Sequence, residues 1–203
     1  MKKPIIIFGA KGRGKIIAHI LEQNDLLSYG FLDDDPKLVD KSLHHLPILG
    51  KTNTQEFLDL LHEKCLPFIA LQDKVHYQRV RELIRTTNSD LQLINAIHPQ
   101  AIIAKHIRLG EGNCIQACAY VGPDVIISSH STIAPHVLIE HSSVLHDFVT
   151  IGAGAKIGAH VEIQENVTIG AGAIIASNIT IGENTQISAG AIIEKSLPAN
   201  TVH

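Results

Sequence analysis

The sequence predicts two domains, an α/β domain over residues 1–90 and an all-β solenoid of short parallel strands over residues 91–203. Three observations carry this: an unbroken six-residue period in the second half, a strand, glycine loop and helix at the start, and an apolar pattern that changes character near Asp90.

The period is the strongest of the three. An aliphatic residue stands at every sixth position from Ile97 through Ile103, Leu109, Ile115, Val121 and Ile127 to Ile193. Six matches neither the 3.6 of a helix nor the simple alternation of a lone strand. Short units of this kind cannot bury an apolar face alone and must stack on their neighbours. The residue two short of each repeat is usually small or β-branched (Val137, Val149, Ala155, Val161, Val167, Ala173), so each unit offers two side chains to a core. The fourth position often holds Gly or Asn (Gly112, Gly154, Asn166, Gly172, Asn178, Asn184, Gly190). These residues tolerate positive φ, so a corner is expected there between flat strands.

In the first half, Ile5–Phe8 reads as a buried strand, Gly9 to Gly14 as a tight loop, and Ile16, Ile17, Ile20 and Leu21 as a helix face. A second strand over Ser28–Leu32 runs into Asp33-Asp34-Asp35. This is the order of a Rossmann-like mononucleotide-binding half, in which glycines let the backbone approach a phosphate and an acidic strand end accepts from ribose. A tight turn without a ligand is the alternative at the glycine loop. The loop is not a phosphate-binding loop of the ATPase kind, because Ile16 stands where Ser or Thr would bind magnesium. Beyond it, residues 36–54 read as loop around Pro47 and Gly50, residues 55–62 as helix, Pro67–Leu71 as strand, residues 75–86 as helix and Leu91–Ile94 as strand.

Composition narrows the function classes. The chain has 203 residues, 45% of them hydrophobic, and a net charge of −3 without a basic block, which argues against nucleic acid as the main partner. Three cysteines without framework spacing point to a reducing, cytoplasmic setting. The apolar run after Lys3 is too short for a secretory leader, and no stretch reaches the roughly 18 apolar residues of a membrane span.

The pattern Ile151-Gly152, Ile157-Gly158, Ile169-Gly170, Ile181-Gly182 resembles the hexapeptide-repeat acyltransferases, whose coils form a left-handed parallel β-helix. With the glycine loop, Gly30-Phe31-Leu32-Asp33-Asp34-Asp35, Leu49-Gly50, Ile97-His98-Pro99 and Ile139-Glu140-His141 added, the whole chain resembles the acetyltransferases of bacterial sugar biosynthesis, the group of sialic-acid O-acetyltransferases and bacillosamine-pathway N-acetyltransferases. The resemblance implies a homotrimer with acetyl-CoA as co-substrate in a groove between neighbouring β-helices. It also implies a nucleotide-sugar on the α/β domain at Gly9, Gly12, Arg13, Gly14, Asp33 and Asp34, acetyl-CoA contacts at Thr150, Gly152 and Gly170, and His141 as catalytic base assisted by Glu140.

The chemistry asked of His141 stands by itself. An amine or hydroxyl attacking a thioester must lose a proton, and an imidazole of pKa about 6.5 is suited to take it. Several positions depart from the family pattern: Ser142 replaces an acidic residue after the base, Arg13 a loop histidine, Thr150 a second histidine, His146 a glycine, Ala134 an asparagine and Leu71 a glycine, and the usual Gly-x-Pro-Ala-Lys tail is not found before His203. With Ser142 in place, Glu140 or Asp147 is expected to orient His141. Acetyl transfer to a nucleotide-linked amino sugar is the expected activity. Sugar O-acetylation, a non-catalytic nucleotide-sugar-binding scaffold, and a zinc site among His130, His136, His141, His146 and His160 are the alternatives, while the motif-based reading of the site includes no metal.

Overall fold

A computed structural model describes residues 3–203, apart from the side chains of residues 62 and 63; the first two residues of the stretch weighed as a leader lie outside it. Two compact units divide the chain, Met1–Ala96 and Ile97–His203.

In the first unit, β1 (Ile5–Phe8), β2 (Ser28–Leu32), β3 (Ser42–Leu43), β4 (Leu46–Gly50) and β5 (Leu66–Ile69) form one sheet in the order β3-β4-β2-β1-β5. All neighbours are parallel except β3 and β4. The four apolar residues of β1 are buried on both faces, as a central strand of a covered parallel sheet requires. Helix α1 (Arg13–Gln23) buries Ile17, Ile20 and Leu21, and α2 (Gln55–Glu63) and α3 (Lys74–Thr87) complete the layers. Gly14 lies inside α1 rather than in the loop. A Cβ there would sit 2.0 Å from the Gly9 carbonyl oxygen, so only glycine lets the helix start so close to β1.

Two expectations are corrected. The segment read as loop around Pro47 contains the β3–β4 hairpin, turned by His44 and His45 with φ of 50° and 63°. That geometry is the one Asn-Gly usually signals, so the turn was hidden. Leu91–Ile94 is not a strand, although the Ile94 N–H donates to the Pro67 carbonyl of β5 at a long 3.4 Å.

The second unit is a left-handed parallel β-helix. Two-residue strands stack with partners 18 residues apart, as in the ladder Ile133, Ile151, Ile169, Ile187, so three hexapeptides make one coil. The periodic aliphatics from Ile115 to Ile193 are all buried in one core, with Ile97, Ile103 and Leu109 packed against it. Each contributes about 1.5–3 kcal/mol by burial. All seven Gly and Asn corners noted in the sequence have positive φ, and so do His106, Cys118, Asp124, His130, His136, Ser142, Phe148 and His160. Buried polar residues serve the ladder: Asn113 Oδ1 accepts from the Ser131 N–H at 2.8 Å, and Ser143 Oγ donates to the Gly158 carbonyl at 2.9 Å.

Candidate active site

The α/β unit opens a cleft of about 400 Å³ where β1, β2 and β5 end, lined by Gly9, Lys11, Gly12, Asp33, Asp34, Thr52, Leu71, Gln72, His76 and Arg79 among others. The sheet order places this cleft at the switch point between β1, whose connection runs to β2 on one side, and β5 on the other. Ligands of open α/β sheets bind at such points.

Both expected acidic residues are there, and both are already engaged. Asp33 accepts from the N–H groups of Ala10 (2.8 Å) and Asp35 (2.9 Å), which ties the glycine loop to the end of β2. Asp34 accepts from the Thr52 N–H at 2.9 Å and from its hydroxyl at 2.9 and 3.0 Å. A carboxylate has about four lone-pair sites, so each retains acceptor capacity toward a ligand. Lys11 and Asp35 form an ion pair across the loop. The hydrogen bond with Lys11 holds the Asp35 carboxyl below its ordinary range, and the same bond raises the Lys11 ammonium.

Gly9 and Gly12 face the cleft, whereas Arg13 and Gly14 do not line it. Arg13 is 7% exposed and its guanidinium lies 5.6 Å from the centre of the Phe68 ring, a cation–π contact inside the fold. Its position as first residue of α1 turns the side chain toward β5.

In the β-helix, His141 stands at a coil corner with its ring exposed. Its Nδ1 lies 3.2 Å from Ser142 Oγ, and its ring meets that of His160 edge to face at 5.1 Å between centres. The expected orienting carboxylates are not the neighbours of this ring. The Glu140 carboxylate makes no hydrogen bond or ion pair among the described residues, and Asp147 Oδ1 accepts from the Ser129 N–H at 2.7 Å. When Nδ1 carries the proton and donates it to Ser142 Oγ, Nε2 presents a lone pair to solvent, the state a general base needs.

Thr150, Gly152 and Gly170 lie together along another sheet of the coil, in or directly after its stacked strands. Thr150 pairs with Thr132 and Thr168, and a Cβ on Gly152 or Gly170 would come within 2.5 or 2.4 Å of the backbone nitrogen of Ala171 or Ala189. Coil stacking therefore demands both glycines. His146 pairs with Glu162 at 3.0 Å on the surface, and among the described residues no group of three or more metal-ligating side chains is placed to hold an ion.

Sequence reasoning missed Thr52, His76 and Arg79 in the cleft and the contact of Ser142 with His141. Thr52 gave no signal because its partner is 18 residues away in the chain. His76 and Arg79 sit at helical positions that read as solvent-facing.

Comparison with known proteins agrees with this layout. Residues 4–99 match the PglD N-terminal domain, and residues 130–164 and 160–195 match the bacterial transferase hexapeptide (six repeats). GDP-perosamine N-acetyltransferase of Escherichia coli O157:H7 is 29% identical over 172 residues, covering 79% of this chain and 72% of that protein. The acetyltransferase domain of PglB from Neisseria gonorrhoeae FA1090, solved with acetyl coenzyme A, shares the fold with a TM-score of 0.89 at 24% identity over 100% of this chain and 96% of that one. PerB from Caulobacter crescentus, solved with CoA and GDP-perosamine, matches with a TM-score of 0.62 at 25% identity over 100% of this chain and 94% of that one. The chain joins a PglD-type N-terminal domain to a bacterial transferase hexapeptide β-helix, the layout it shares with these sugar acetyltransferases.

Proposed function

We propose that this protein transfers the acetyl group of acetyl-CoA to the amine of a nucleotide-linked amino sugar in bacterial surface-glycan biosynthesis. The observation that carries the reading is the pairing in one chain of a switch-point cleft, suited to a nucleotide, with a β-helix corner that exposes His141. The relative from Escherichia coli, named for GDP-perosamine N-acetylation, supports the substrate class.

His141 acts as general base. A sugar ammonium first gives up one proton to solvent; the neutral amine then attacks the thioester carbonyl, and Nε2 takes the second proton as the carbon–nitrogen bond forms. Collapse of the tetrahedral intermediate expels the CoA thiolate, which leaves as the thiol when protonated. No covalent enzyme intermediate is needed once both substrates are held together. Ser142, through Nδ1, keeps the ring from turning.

The active form is a cytoplasmic homotrimer. Outward-facing Ile102, Tyr120, Leu138, Ile174 and Ile192 stack in register on one sheet of the β-helix, interrupted only by Lys156. Ile102 and Ile192 are 63% and 62% exposed in the single chain. A closed three-fold ring buries such a face without leaving an open end.

The test is thiol release from acetyl-CoA against a panel of GDP-, UDP- and dTDP-linked amino sugars, with sialic-type acids as hydroxyl acceptors. Turnover on an amino sugar, reduced about 100-fold or more in His141→Ala, is expected for a general base. Turnover on hydroxyl acceptors alone overturns N-acetylation, and full activity in His141→Ala overturns the base.

A further inference from the structure

The cleft of the α/β unit carries two cations whose situations differ. Lys11 is committed to Asp35, whereas the guanidinium of Arg79 on α3 takes part in no hydrogen bond or ion pair among the described residues. His76, one turn earlier on the same helix, lines the cleft too, and its Nδ1 is 2.9 Å from Asp73 Oδ1. The opposite wall bears Asp33 and Asp34, held to the end of β2 by Ala10, Asp35 and Thr52.

This distribution of charge divides the cleft. A nucleotide-sugar brings two negative charges on its diphosphate, and these avoid a wall that presents two carboxylates. Ribose hydroxyls, which donate, suit the remaining lone pairs of that wall. The glycine loop between β1 and α1 lies between the walls and has no side chain at Gly9 or Gly12 to keep phosphates away. Beyond the loop stands α3, whose uncommitted guanidinium offers a planar fork that fits two phosphate oxygens at once.

We propose that Arg79 is the residue that recognises the diphosphate bridge of the nucleotide-sugar, with the nucleoside on the Asp33–Asp34 side and the sugar leaving past α3. The assignment rests on the nucleotide-sugar reading given above and makes α3, rather than the acidic strand end, the source of affinity for phosphate. Charge also sets a signature, since an exposed guanidinium–phosphate contact weakens as salt is raised.

Calorimetric titration of the full chain tests it, using GDP, UDP, guanosine, uridine and inorganic pyrophosphate with wild type, Arg79→Ala and Arg79→Lys. Loss of a charge-assisted pair is expected to weaken the preferred nucleoside diphosphate about 10-fold or more in Arg79→Ala. The parent nucleoside should bind both proteins equally, and Arg79→Lys should recover part of the loss. In turnover, the KM for the nucleotide-sugar rises while that for acetyl-CoA does not. Because Arg79 is exposed, the melting temperature should stay at the wild-type value, which separates lost binding from lost folding. Equal affinity of wild type and Arg79→Ala for the diphosphate overturns the proposal, as does an equal loss for nucleoside and diphosphate. Pyrophosphate binding as tightly as the nucleotide overturns it in favour of a free-phosphate site. Failure of wild type to bind any nucleotide overturns the nucleotide-sugar reading itself, and the assignment of Arg79 with it.

Discussion

Ser142 gives the sharpest expectation, because its hydroxyl and its backbone make separable contributions. The hydroxyl stands 3.2 Å from His141 Nδ1 on an exposed corner. A net hydrogen bond in such a place is worth about 0.5–1.5 kcal/mol, which corresponds to roughly a 2- to 10-fold fall in kcat if the bond holds the ring in its working tautomer. Ser142→Ala should show that fall with KM for either substrate unchanged. The backbone at Ser142 has φ of 61°, a conformation that costs a side-chain-bearing residue about 1–2 kcal/mol. Ser142→Gly should therefore lose the same activity yet melt higher, by about 2–4 °C for a chain of this size. Ser142→Asp restores an acidic neighbour and tolerates the same φ, so its kcat should equal or exceed that of wild type. Thiol-release kinetics at saturating acetyl-CoA, with melting followed by scanning fluorimetry, measure both effects. An unchanged kcat in Ser142→Ala, or a Ser142→Asp variant slower than Ser142→Ala, would refute the orienting role.

Four further outcomes are expected. Gly122 lies one coil below the His141 corner, and a Cβ there would come 2.9 Å from the His141 nitrogen and 3.1 Å from the Glu140 carbonyl carbon, so Gly122→Ala should lower kcat by displacing that corner, measured in the same assay. Ile151→Ala removes a fully buried side chain and should cost about 2–5 kcal/mol by denaturant unfolding. The Asp35 carboxyl, lowered chiefly by its hydrogen bond with Lys11, contributes stability that is present above its ordinary pKa of 3.8 and lost as pH falls through the lowered value; in Lys11→Met its carbon-13 titration should move back up toward that value. Burial pushes the Cys65 thiol up, outweighing the nearby lysine charges, so a colorimetric thiol reagent should label Cys65 only after denaturant is added.

The β-helix was legible because its signal is global. Seventeen aliphatic positions from Ile97 to Ile193 at one spacing outweigh any local preference, and the Gly and Asn corners marked the turns. Phe148 and the corner histidines were not legible as corners. Their positive φ is imposed by coils that stack above and below them, as when the Phe148 N–H donates to the Ser129 carbonyl and the His160 N–H to that of His141. The hairpin at His44 and His45 was hidden for a similar reason, since pairing of β4 with β2 sets its path rather than the turn residues. In the cleft, strand ends are local features and revealed Asp33 and Asp34. What those carboxylates hold is not local, and neither is the fact that α3 turns Arg79 toward loops from other elements.

The two halves of the chain position chemistry by opposite means. In the α/β unit the site is assembled from the ends of several elements, each fixed by a bond across the gap: Ala10 and Asp35 to Asp33, Thr52 to Asp34, Lys11 to Asp35. Such a site can change its ligand by replacing one loop residue, since each partner sits on a separate segment. In the β-helix no such latitude exists. His141 is flanked by the buried Ile139 and the positive-φ Ser142, its carbonyl accepts from His160 one coil on, and Gly122 supports it from the coil before. A residue gripped on all four sides by backbone can be replaced in its side chain but hardly moved. That is the property a base needs when it must meet a proton at hydrogen-bond distance in the transition state, where displacement of about 1 Å can cost 100-fold in rate. Variation in the nucleotide or sugar is therefore expected to be written in the loops and α3, while His141, the proposed proton acceptor, stays where the coil fixes it.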